Sequence, residues 1–184
     1  LQYLVWRHAA SGLRARIDRF LGAASRRGLR TMLCLFDDCA FSGREPYLGA
    51  QDEPIPGVHN SGAAASPGRE VVRDRSRWPD LERYTRDVVA HFRDDARVLA
   101  WDLYNEPGNE AVFTRRVEPD PRGPLAPQSL ALAEACFGWA RDERPDLRGW
   151  IDPGAVIARV DLDEDVERRA ARRQDVHRLL RVDH

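Results

Sequence analysis

Apolar positions along the chain fall into helix-spaced stripes that alternate with short, nearly continuous runs. Leu13, Ile17, Phe20, Leu21 and Ala24 recur on one helical face, with Ser11 placed to cap the helix and Gly28 placed to end it. Leu29 to Phe36 follows at once, an apolar run of the kind a strand buried on both faces needs. The plan then repeats. Pro79 suits a first helical turn, Leu81, Tyr84, Val88 and Phe92 line one side, and Val98 to Tyr104 forms a second apolar strand. A third helix is predicted over Ser129–Arg141, with Leu130, Ala133, Phe137 and Ala140 on its inner face and Pro145 as its stop. Leu147 to Ile151 is a third, weaker strand.

This alternation predicts an α/β fold with parallel strands. Helix-to-strand connections are short, whereas the strand-to-helix connections, Asp37 to Trp78 and Pro107 to Gln128, are long and rich in Gly, Pro and Ser. Long loops at the C-terminal ends of strands build the active site of a (β/α)₈ barrel and also the ligand crevice of a doubly wound sheet. Loop length alone leaves both open. From about Arg159 the composition changes: Asp161 to His184 is mostly charged, and a polar helix or no stable structure is expected there. The organisation is therefore a folded unit over residues 1–158 and a charged tail over 159–184.

Composition narrows the functions. With a net charge of −1 and 29 arginines spread along a lysine-free chain, there is no broad basic surface for nucleic acid. No apolar run approaches the ~20 residues of a membrane span. Leu1 is not expected to be a natural start, so the lack of a signal-peptide pattern leaves the compartment open. Cys34, Cys39 and Cys136 have no metal-site spacing and read as thiols, and no metal or other cofactor is implied. Nothing in the sequence sets the oligomeric state.

The chemistry concentrates in Trp101-Asp-Leu-Tyr-Asn-Glu-Pro107. Its strand presents an amide and a carboxyl as it ends. Side chains alternate along a strand, so Asn105 and Glu106 reach one site only if the backbone bends there, and Pro107 favours that bend. A carboxylic acid whose pKa is raised by burial or a negative neighbour can protonate a glycosidic oxygen, and an adjacent amide can hold a sugar hydroxyl. The same tripeptide could equally be a turn leading into a helix.

The run Arg97-Val-Leu-Ala-Trp-Asp-Leu-Tyr-Asn-Glu-Pro-Gly-Asn109 resembles the fourth strand of clan A glycoside hydrolases, especially cellulase/mannanase-like enzymes of the family 5 type. Leu29 to Cys39 resembles their third strand, Gln51 to Gly62 their long third loop, and Tyr3 to Trp6 the loop after their second strand. The resemblance spans about Leu1 to Arg148. It implies an incomplete (β/α)₈ TIM barrel, about strands three to five with their helices, and a retaining O-glycosyl hydrolase acting on a β-linked oligo- or polysaccharide. Glu106 would be the general acid/base and Asn105 the partner of a substrate hydroxyl.

Asp37, Asp38, His59 and Asn60 are further candidates for binding sugar hydroxyls. For the two aspartates the alternative is a cap or an ion pair with Arg; for His59 and Asn60 it is a surface-loop role. Trp6 is a candidate stacking platform or a packing residue, and Trp101 and Trp139 are assigned to packing. Where family members carry a Trp after His-Asn-Ser-Gly, this chain has Gly62-Ala-Ala-Ala-Ser66, which removes that platform.

A retaining enzyme needs a second carboxyl about 5–5.5 Å from the first. In the resembled family this is a Glu on the seventh strand, and none of Glu110, Glu118, Glu134, Glu143, Glu164 or Glu167 follows a buried strand here. Since a full barrel takes ~250 residues, the chain reads as a truncated piece, inactive alone. Its Arg/Asp-rich end is what an out-of-frame reading would produce, which resequencing of the locus would test. Two other classes stay open: a non-catalytic, carbohydrate-binding or degenerate fragment, and an unrelated enzyme holding a divalent cation between Asp37, Asp38 and Glu106.

Overall fold

A computed structural model describes residues 1–144, 147–152 and 155–160, the last two segments as backbone strands. The order is α1 (Tyr3–Ser25), β1 (Thr31–Asp37), α2 (Arg69–Arg73), a 3₁₀ turn, α3 (Trp78–Phe92), β2 (Val98–Asn105), α4 (Ala126–Glu143), β3 (Leu147–Asp152) and β4 (Ala155–Val160). No described helix is long and apolar enough to cross a membrane.

The three long helices form where the apolar stripes predict them, with changes at their margins. In α1 the buried residues are Tyr3, Leu13, Ile17 and Leu21. Phe20 sits at the rim of that stripe and is 60% exposed. Tyr3 to Trp6, expected as a loop, is the first turn of α1, started by the Gln2 side chain accepting from Leu4 N–H at 3.3 Å. The helix breaks at Ala9 (φ −155°, ψ 80°), two residues before the expected cap at Ser11. α3 buries Leu81, Tyr84, Val88 and Phe92 as predicted, with Pro79 in its first turn. α4 starts earlier than expected, on Ala126-Pro127, and is rotated. Its buried residues are Ser129, Leu132, Ala133, Cys136 and Ala140, while Leu130 and Phe137 are only half-buried. The small side chains let α4 approach closely: the Cys136 thiol reaches Thr85 Oγ1 at 3.6 Å and the Leu103 carbonyl at 3.8 Å.

β1 and β2 pair in parallel, with Leu33 beside Trp101, Cys34 beside Asp102 and Asp37 beside Asn105. Leu33, Leu35, Trp101 and Leu103 point into the core, all 3% exposed or less. By alternation Met32 and Cys34 point to the other face, where Met32 is 51% exposed and Cys34 half-buried. Further along that same face Phe36, Asp102 and Tyr104 are 5% exposed or less, so the pair is open only at its N-terminal end and covered on both faces toward its C-terminal end, as parallel sheets ordinarily are.

The strand predicted at Leu147 exists but does not lie beside β2. The sheet order is β1-β2-β4-β3, with β4 antiparallel to both β2 and β3. Two residues separate β3 from β4, too few for a parallel crossover, so neighbouring pairing of these two strands is necessarily antiparallel. β4 also runs across the expected unit boundary at residue 158. The tail expected to be helical or unstructured falls, for residues 161–184, outside the described residues, as do Pro145, Glu164 and Glu167.

Candidate functional site

Because β1 and β2 run in parallel, their C-terminal ends share one edge of the sheet, and the two long loops leave from that edge. This brings Asp37, Asp38, Asn105 and Glu106 together, with Asp38 N–H donating to the Asn105 carbonyl at 3.4 Å. The bend expected after Asn105 is present: Glu106 adopts the left-handed conformation, φ +45°, uncommon for a side-chain-bearing residue. The turn re-aims its carboxyl. Asn105 and Glu106, on opposite faces of an ideal strand, both meet Cys39: the thiol donates to Glu106 Oε2 at 3.0 Å, and Asn105 Nδ2 lies 3.9 Å from the sulfur. Asn109 closes the turn, its Nδ2 donating to Glu106 Oε2 at 2.6 Å and its N–H to the Glu106 carbonyl at 3.0 Å. At Gly108 (φ +86°) a Cβ would fall 2.6 Å from that of Ala126, so only glycine fits.

Asp38 has a different part from the one expected. It is fully buried, and its carboxylate accepts from Tyr104 Oη at 2.7 Å, Gly108 N–H at 2.6 Å and Ser129 Oγ at 2.5 Å. Both oxygens are occupied within the protein, so substrate binding by Asp38 is corrected to a structural cap. It ties the end of β1 to the Glu106 turn and to α4. Burial raises its pKa, and the three donors oppose that rise. Asp37 stays at the rim, half-buried, with Oδ1 accepting from Cys39 N–H at 2.7 Å and its backbone bridging Ser66.

Trp6 is also corrected. It lies on α1 among Tyr3 and Tyr84, with ring centroids 6.2 and 5.6 Å away, and donates Nε1–H to Asp87 Oδ2 at 2.7 Å. Its role is packing between α1 and α3. His59 is exposed, with its ring 5.5 Å from that of Phe41 and 5.9 Å from that of Phe113. Asn60, also left-handed at φ +42°, has its Nδ2 3.3 Å from His59 Nε2 and turns the loop.

The electrostatics of Glu106 run against the expectation for a general acid. The carboxyl is exposed, and its pKa is lowered, first by the Cys39 thiol and then by Asn109. Among the described residues no neighbouring carboxylate pushes it up. Glu106 is an ionised carboxylate on an open shelf. Clefts of about 650 Å³ (between α1 and residues 46–51) and about 890 Å³ (around Glu45, Arg69 and Arg122) lie elsewhere. Among the described residues no group of three or more His, Cys, Asp or Glu side chains is placed to hold a metal ion, so Asp37, Asp38 and Glu106 do not converge on one.

The sequence reading missed four residues of this site. Cys39 was a thiol among three, yet its place two residues beyond Asp37 puts it at the strand end. Asn109 is three residues beyond Glu106, the spacing of a side chain that closes a turn. Phe41 and Phe113 are isolated aromatics in polar loops. Their rings meet at a tilt with centroids 4.8 Å apart, each within 6 Å of His59, and the loops are joined there: Phe113 N–H donates to the Phe41 carbonyl at 3.0 Å and Thr114 Oγ1 to the Ser42 carbonyl at 3.0 Å.

No protein-family model, curated protein or solved structure matches the chain.

Proposed function

We propose that the chain carries the acid/base half of a retaining O-glycosyl hydrolase centre acting on a β-linked oligo- or polysaccharide. Glu106 is its proton-transferring carboxyl and Asn105 its partner for a sugar hydroxyl, on part of a (β/α)₈ barrel. The observation that carries the reading is the meeting of Asn105 and Glu106 at the C-terminal edge of a parallel strand pair, through a left-handed turn held by Cys39, Asn109 and Asp38. Glu106 pays for that backbone with about 1 kcal/mol of strain, the pattern of a residue held for its chemistry.

The lowered pKa and exposure of Glu106 favour a second reading for residues 1–184 taken alone: sugar binding without turnover. A general acid at neutral pH needs a nearby second carboxylate or a dry pocket, and among the described residues neither surrounds this side chain. Residues 1–184 alone are therefore expected to bind a β-linked oligosaccharide and leave it intact. In a product of the same gene that also carries a nucleophilic carboxylate, Glu106→Gln is expected to slow hydrolysis by about 10²–10⁴-fold with affinity unchanged. Reducing-sugar release and calorimetry measure the two. Cleavage that survives the substitution removes Glu106 from its role, and absence of sugar binding removes both readings.

A further inference from the structure

We propose that Phe113, backed by Phe41 and edged by His59, is the surface on which a pyranose ring of the substrate lies beside Glu106. The proposal rests on the glycosidase reading and extends it to a residue outside the resembled motifs.

Phe41 is 6% exposed and forms the floor of the group. Phe113 leans against it, centroids 4.8 Å apart and the ring planes tilted by 32°, yet remains 50% exposed. A ring covered on one side and half accessible presents its other side to solvent. His59 stands at 67° to Phe113, 5.9 Å away, so it borders that open face and does not cover it. The position relative to the chemistry is set twice. Cys39, whose thiol meets Glu106 Oε2 at 3.0 Å, is two residues before Phe41, and Asn109, which holds the Glu106 carboxyl at 2.6 Å, is four residues before Phe113.

The chemistry of the group suits a sugar. A pyranose with mostly equatorial hydroxyls has a polar rim and two faces of C–H bonds carrying slight positive charge, which complement the negative face of an aromatic ring. Phe113 offers that face, while His59 lies at its border to meet the rim, the combination of apolar wall and polar group that marks ligand sites. The backbone favours a rigid platform, since Phe113 N–H, Thr114 Oγ1 and Arg115 Nη2 all bond carbonyls of Phe41 to Gly43.

Calorimetric titration of residues 1–184 with cellotetraose and with mannotetraose tests the assignment, alongside Phe113→Leu and Phe113→Trp. Leucine keeps apolar packing on Phe41 but has no flat face; tryptophan keeps the face. The expected result is binding by the wild type and by Phe113→Trp, with affinity at least about tenfold weaker in Phe113→Leu at unchanged Tm. Phe113→Leu binding as well as wild type overturns the platform and leaves the glycosidase reading standing. Failure of the wild type to bind either tetraose overturns both. If Phe113→Leu proves less stable, Phe113→Trp decides: weakened binding in that folded variant also overturns the platform.

Discussion

Two buried aspartates show how much a single carboxyl depends on its donors. Asp38 has three, and Asp38→Ala would leave Tyr104 Oη, Gly108 N–H and Ser129 Oγ without their acceptor, at about 1–3 kcal/mol for each buried group. A loss of about 3 kcal/mol or more in urea unfolding is expected. The Glu106 carboxyl, followed by ¹³C NMR, should return toward the ordinary range as its turn loosens. A full loss of stability with the Glu106 titration unmoved would separate Asp38 from the site. Asp102 is the opposite case. It is 5% exposed, its Oδ1 has no hydrogen-bond partner, and burial pushes its pKa up to about 6. A folded pKa above the unfolded value favours folding most below the unfolded value, and that contribution is lost as pH rises through about 6. Asp102→Asn is therefore expected to gain about 2–3 kcal/mol on the wild type between pH 4 and pH 8. Unfolding curves at the two pH values check the sign. An unchanged difference would mean that this carboxyl is solvated.

At the scale of elements, legibility followed the size of the side chains. α3 and the middle of α1 were legible because Leu, Ile, Val, Tyr and Phe mark their buried stripes. α4 was misread because it buries Ser129, Ala133, Cys136 and Ala140, small residues that hardly register as a stripe, while the larger Leu130 and Phe137 lie to one side. The break at Ala9 has no Pro or Gly at its own position to announce it. β4 escaped because Ala155 to Val160 is short and includes Arg159, with no pattern to distinguish it from the charged sequence that follows. At the site, the Asn105–Glu106 pair was legible from its place at a strand end. Which of Asp37 and Asp38 turns inward was not, since adjacent residues face opposite ways and either could have met Tyr104. Trp6 is the same lesson: its ring could stack on sugar or pack, and only the position of α3, with Tyr84 and Asp87, decides.

At the scale of the whole molecule, the N-terminal end of β1 is exposed on one face and packed on the other, and neighbouring residues there should report it. Met32 lies on the open side and Leu33 in the core. Met32→Gln is expected to change stability by less than about 0.5 kcal/mol, whereas Leu33→Ala should cost about 2–5 kcal/mol. A cost above about 1 kcal/mol for Met32→Gln would mean that something covers that side in solution. At the site end, the segment after β1 leaves and returns through a fastened base, where Asp37 and Ser66 exchange two backbone bonds at 2.8 Å and Ser42 Oγ holds the Ala63 carbonyl at 3.0 Å. Beyond that base, residues 48–57 are all exposed. Length can therefore vary at this tip with little penalty, since doubling a flexible loop adds only about 0.6 kcal/mol. Insertions there would reshape the border of the cleft against α1 well before they disturbed the fastened base or the carboxylate turn beyond it, which makes the tip the place where descendants of this chain could vary without touching Glu106.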